Sequence, residues 1–183
     1  MTWNYKRLNQ NEQKLGQLIK KINNLIINYT INDKPERDAD LIMDKLWLGN
    51  YHVASDFNFV TSEQIGTIIN ATKNIPNTFD FINYFNYCIE DKDACEKNLL
   101  YQIEEAADKI HYSIINKIAV LVHCKNGHHR SASIVAFYLI KYHNISLVQA
   151  VYLIKKARPL AFKRINCMLK TLILYENQNP NYY

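Results

Sequence analysis

Glycine and proline are scarce, with four of each in 183 residues. That excludes collagen-like and proline-rich designs and argues for long regular elements with few tight hairpins. No run approaches the roughly 20 apolar residues of a membrane span, and Met1 to Gln10 is polar, without the apolar core of a signal peptide. Strong charge of one sign is also missing. Lys and Arg number 22 against 17 Asp and Glu, a net +5. Such a mild basic balance favours phosphorylated or acidic partners and does not demand nucleic acid. Cysteine is limited to positions 88, 95, 124 and 167, and a chain of this size needs no disulfide framework. The expectation is a soluble, cytoplasmic protein with reduced thiols and no membrane contact. What is present suffices for a core, since 48% of residues are hydrophobic and 12% aromatic, in a length that suits one domain.

Read along the chain, Leu15, Leu18, Ile22, Leu25, Ile26 and Tyr29 recur at three- and four-residue steps and predict an amphipathic helix over 8–30. The polar, proline-broken stretch Asn32 to Asp38 reads as a linker. Strand and helix signals then alternate. Strands are expected at Leu41–Met43, Leu46–Leu48, Ile65–Thr72, Phe85–Ile89 and Ile118–Val122. The last is five apolar residues in a row, as in a central strand covered on both faces. Helices are expected at Asn98–Asn116, at Ser131–His143, from an N-cap at Ser146 through Ala157, and at Phe162–Glu176. The alternation implies an α/β domain with a central, mostly parallel sheet flanked by helices, plus an extra N-terminal helix. The organisation is then 1–34 for that helix and linker, 35–176 for the domain, and 177–183 for a loose tail.

The informative stretch is His123-Cys124-Lys125-Asn126-Gly127-His128-His129-Arg130-Ser131, between a buried strand and an apolar helix. A loop entering a helix N-terminus leaves several N–H groups pointing one way, and with the helix dipole they form an anion site. Gly127 permits the tight turn. A cysteine at the start of such a loop places its sulfur inside the cradle, and the field that binds phosphate also stabilises a thiolate. A thiolate attacks phosphorus well and leaves easily. The planar fork of Arg130 can grip two phosphate oxygens, and the Ser131 hydroxyl can donate to the sulfur as it departs. Each residue type answers a need of phosphoryl transfer through cysteine.

His-Cys-x-x-Gly-x-x-Arg-Ser resembles the phosphate loop of cysteine-dependent protein phosphatases, and its surroundings resemble the dual-specificity branch, poxvirus-type enzymes included. Leu46-Trp47-Leu48-Gly49-Asn50 followed by Ala54 is similar to that branch's opening segment, Ile68-Ile69-Asn70-Ala71-Thr72 to its second strand, and Arg158-Pro159 to a pair its members often carry. The resemblance spans about residues 39–176. It implies that residues 35–176 are a catalytic domain with the dual-specificity phosphatase fold, that Lys125 to Arg130 bind a phosphorylated protein substrate, and that no metal or organic cofactor is needed. It also implies an acid on the loop ahead of the helix that precedes the phosphate loop. Asp93 fits by its distance of 31 residues from Cys124 and by Asn98-Leu99 behind it. Asp91 fits the hydrophobic rhythm of Tyr87-Cys88-Ile89 and remains the alternative.

His128 and His129 stand where the family carries small residues. Their side chains are expected to point outward to the rim, the other reading being substrate contact that makes activity pH-sensitive. A metal held by His123, Cys124, His128 and His129 is opposed by the neighbouring cations Lys125 and Arg130. The apolar stripe of the N-terminal helix either packs on its own core or forms a homodimer by exchange across Pro35. Two other functions use the same loop: RNA 5′-triphosphate hydrolysis, for which no long basic groove is evident, and phosphate recognition with little turnover.

Overall fold

The computed structural model describes residues 10–30, 37–90 and 98–179. Helix α1 (Gln10–Thr30) is followed by strands β1 (Ala39–Met43) and β2 (Leu46–Gly49) and two short helices, α2 (Tyr51–Ala54) and α3 (Phe57–Ser62). Strands β3 (Ile65–Asn70) and β4 (Asn83–Asn86), helix α4 (Leu99–Ile115) and strand β5 (Ala119–His123) come next. Helices α5 (Arg130–His143), α6 (Leu147–Ala157) and α7 (Cys167–Gln178) complete the chain.

The five strands form one sheet in the order β1-β2-β5-β3-β4. Only the β1–β2 pair is antiparallel; β2–β5, β5–β3 and β3–β4 are parallel. The apolar run Ala119–Val122 thus becomes the central strand. It is covered on both faces, which is why it lacks polar alternation. Val120 and Val122 enter a large core shared with α1, α4, α5, α6 and α7. Ala119 and Leu121 enter a smaller one under α2 and α3. All parallel strands end at the same edge, and the loop after β5 emerges there.

The stripe predicted for the first helix is the buried one: Ile22 and Ile26 lie in the main core, with Leu15, Leu18 and Leu25 packed beside them. The helix seats on α6 and α7 of its own chain. Tyr29 meets Tyr152 of α6 edge to face at 5.8 Å. Ser146 caps α6 in a reciprocal pair with Gln149.

Several expectations shift. The strand predicted over 85–89 is paired at Asn83–Asn86 instead, and only a single hydrogen bond, from Tyr87 N–H to Asn70 O, extends the pairing. The last helix begins at Cys167, not at Phe162, because Asn166 caps it by accepting from Leu169 N–H. It runs through Gln178, into the stretch read as a loose tail. Helices α2 and α3 were unforeseen, although each starts at a capping side chain, Asn50 and Asp56. Cys88 and Cys124 are free thiols, but Cys167 is disulfide-bonded, which corrects the expectation of fully reduced cysteines. Among the described residues, no helix is long and apolar enough to cross a membrane.

Candidate active site

The loop from β5 into α5 folds around one sulfur. Cys124 is only 2% exposed. Its Sγ accepts the Gly127 N–H at 3.2 Å and the Ser131 hydroxyl at 3.3 Å. Burial by itself would push this thiol up. The Ser131 hydroxyl and N–H, the Arg130 charge and the Gly127 N–H outweigh it and hold the pKa below the ordinary thiol value. These surroundings favour the thiolate form of the sulfur over what burial alone would allow.

Gly127 adopts φ +68°, in the left-handed region that favours glycine. Space demands it as well: an added Cβ would lie 2.5 Å from Gly49 O and 2.8 Å from Arg158 Nη2. The Gly49 that follows the β2 core therefore packs its backbone directly on the loop.

Arg130 opens α5. Its Nη1 donates to Ile89 O at 3.4 Å. Its Nε is buried and has no hydrogen-bond partner among the described residues, so a donor beside the sulfur is left for an anionic oxygen. Arg130 also lines a cleft of about 300 Å³ with Tyr51, Thr72, Asn74, Ile75 and Lys125. The cleft wall is shaped by Asn70, whose side-chain oxygen accepts from Thr72 N–H and Oγ1 at 3.1 and 2.7 Å while its Nδ2 donates to Ile75 O at 2.8 Å. Of these, sequence reasoning named Lys125 and Arg130 as site residues. Tyr51, Asn74 and Ile75 were missed, since nothing local marks a residue that reaches the site only through the sheet edge.

His123 is buried, and its pKa is pushed down to about 4, first by burial and also by Arg130, against an opposing hydrogen bond with the Cys124 backbone. It is neutral at pH 7. Lys125 and Asn126 are exposed at the rim. His128 corrects an expectation: it is buried, 6% exposed, and does not point outward. Its backbone is fixed by Phe162, whose N–H donates to His128 O at 2.7 Å. His129 is half-buried at the N-cap of α5. Asp93 and its alternative Asp91 lie outside the described residues.

A mostly parallel sheet, a cysteine-centred amide cradle at its carboxyl edge and an arginine at the mouth define a cysteine-dependent phosphatase architecture. The comparisons with known proteins place it further. Residues 46–178 match the family model of the dual specificity phosphatase catalytic domain. Mouse dual specificity protein phosphatase 14 is 34% identical over 137 residues, 75% of this chain and 68% of that one. The mouse dual specificity protein phosphatase 18 is 33% identical over 125 residues, 68% of this chain and 65% of that one. This chain belongs to the dual-specificity protein phosphatase family. The fold agrees with that of a mouse putative dual specificity phosphatase (TM-score 0.70, 22% identity, 81% of this chain and 91% of that chain). It also agrees with OH1 from the Orf virus, a tyrosine phosphatase (TM-score 0.63, 14% identity, 84% and 95%).

Proposed function

We propose that the protein hydrolyses phosphotyrosine, phosphoserine and phosphothreonine in protein substrates through a phosphocysteine intermediate. The Cys124 thiolate attacks phosphorus. An S–P bond forms as the P–O bond to the substrate breaks, and Asp93 gives its proton to the departing oxygen. Arg130 and the loop amides hold the remaining oxygens through the transition state. Water, relieved of a proton by Asp93, then attacks the phosphocysteine. Inorganic phosphate leaves, and the sulfur departs as a thiolate stabilised by Ser131.

The observation that carries this reading is the buried sulfur with an N–H and an O–H directed at it and its pKa held down despite burial. The curated relatives are named dual specificity protein phosphatases, which favours phosphoprotein hydrolysis over RNA 5′-triphosphate hydrolysis or binding without turnover. The test is phosphate release from matched phosphotyrosine and phosphoserine peptides. Turnover of both by the wild type, loss of both in Cys124→Ser, and in Asp93→Asn a lowered kcat with the alkaline limb of its pH profile lost are expected. Release only from triphosphate-ended RNA would overturn the assignment, and an effect confined to Asp91→Asn would move the acid.

A further inference from the structure

Four successive carbonyls of the phosphate loop, those of residues 125–128, each accept from a donor outside the loop. Lys125 O accepts from Tyr51 N–H at 3.3 Å and His128 O from Phe162 N–H at 2.7 Å. The two between them are held by one side chain. Arg158 Nη2 donates to Asn126 O at 3.1 Å, and Arg158 Nε donates to Gly127 O at 2.9 Å. In a trans peptide the C=O of one residue and the N–H of the next point in opposite directions. Holding Asn126 O outward therefore aims the Gly127 N–H inward, and that N–H is the one on the sulfur at 3.2 Å. Holding Gly127 O outward does the same for the His128 N–H.

Arg158 is itself fully braced. It is 2% exposed. Its Nη1 donates to Asp40 Oδ2 at 2.9 Å and to Arg37 O at 2.8 Å, while Arg37 Nε holds the other Asp40 oxygen at 3.1 Å. Asp40 and Arg37 precede the residues that match the family model, 46–178. The turn after Arg158 is fixed too. The buried Lys155 Nζ donates to Pro159 O and Ala161 O at 2.8 and 2.7 Å. Phe162 accepts φ +51°, strained for a bulky side chain, in the position from which it caps His128 O. A buried Arg–Asp pair most often only fills a core. This one reaches two successive carbonyls of the loop, one of them in the peptide unit that donates to the reactive sulfur.

We propose that Arg158, anchored by Asp40, is a positioning residue of the phosphate site: it turns two carbonyls outward so that the loop amides face the sulfur and the phosphoryl oxygens. The inference rests on Cys124 being the nucleophile. A wild type without turnover would defeat that reading, whereas this proposal fails only if wild type is active and the variants match it.

The experiment compares wild type with Arg158→Met, Arg158→Lys and the double variant Arg158→Met/Asp40→Leu. Steady-state kinetics, thermal melting and the pH dependence of Cys124 alkylation by iodoacetamide are read together. Replacing both members of a buried ion pair by apolar residues preserves packing, so the double variant separates folding from positioning. It is expected to melt near wild type and yet lose kcat by roughly tenfold to a hundredfold, with KM changed far less. Its alkylation midpoint rises by about one pH unit, since amides that no longer face the sulfur stabilise the thiolate less. Arg158→Lys keeps the charge without the two-pronged reach, so it recovers stability more fully than kcat. Arg130 and Ser131, the other groups that act on the thiol, are unchanged throughout. A double variant, or Arg158→Lys if the Met variants fail to fold, with wild-type kcat and an unmoved alkylation midpoint overturns the proposal.

Discussion

Residues 123–131 and residues 10–30 meet the rest of the chain by opposite means. The phosphate loop is held by directional polar contacts. Its carbonyls bond to Tyr51, Arg158 and Phe162, and its amide and hydroxyl donors turn to one sulfur. The N-terminal helix is held by an apolar stripe, Ile22 and Ile26 at its centre, against α6 and α7. Apolar contact is non-directional and tolerates small shifts. A hydrogen-bonded cradle does not, because an amide turned away by a fraction of an ångström no longer serves a transition state. Changes in the loop should cost chemistry with little stability, and changes in the helix stability with little chemistry.

The sharpest way to break that contrast is Cys124→Ser. Turnover of a chromogenic phosphate ester should fall by more than about a thousandfold, with a melting temperature close to wild type. A large loss of stability here would show that the loop also holds up the fold.

Ile22→Ala tests the other side. The residue is fully buried, so the cavity should cost about 3 kcal/mol in denaturant unfolding. The kcat of the folded fraction should stay within a factor of about two of wild type, as expected of a substitution distant from the reacting groups. A kcat that falls in parallel would mean that the helix shapes the site.

His123 sharpens the comparison through pH. Above its usual value of about 6.5 the imidazole is neutral folded and unfolded alike. As pH falls below that value, the unfolded chain takes up a proton, whereas the folded one does so only near 4. Stability should therefore decline as pH drops from about 6.5 to 4 and level off below. The loss relative to His123→Asn is roughly 3 kcal/mol. Parallel stability–pH curves for the two proteins would show that the buried ring titrates normally.

Ser131→Ala is the mildest. Removing the hydroxyl from the sulfur should lower kcat about tenfold and raise the thiol midpoint, with unfolding nearly unchanged. Burst kinetics would locate the loss in the second step, where the sulfur leaves.

How much of this was readable beforehand divides along the same line. The central strand, α5 and α6 follow from an uninterrupted apolar run and a capping serine, signals confined to a few adjacent residues. The proposed nucleophile, Cys124, and Arg130 are assigned from a loop whose parts are also adjacent. What escaped depends on distant residues. His128 is buried and its carbonyl is pinned by Phe162 from far along the chain, and the last helix starts late, at its cap Asn166, after a stretch whose carbonyls at Pro159 and Ala161 are tied to Lys155. Arg158 could be noticed as half of an Arg-Pro pair, but its reach to Asn126, Gly127 and Asp40 exists only once the sheet is assembled. The short helices α2 and α3 did carry a local mark, Asn50 and Asp56 as caps, and were overlooked because four to six residues show no periodicity.

The thiolate absorbance of Cys124, titrated in the ultraviolet with Cys124→Ser as the blank, addresses the account most directly. The midpoint should lie well below the free-cysteine value of about 8.5, with the sulfur ionised at pH 7. A group still protonated at neutral pH would mean that the amide cradle does not act on the sulfur, and the proposed chemistry would fall with it.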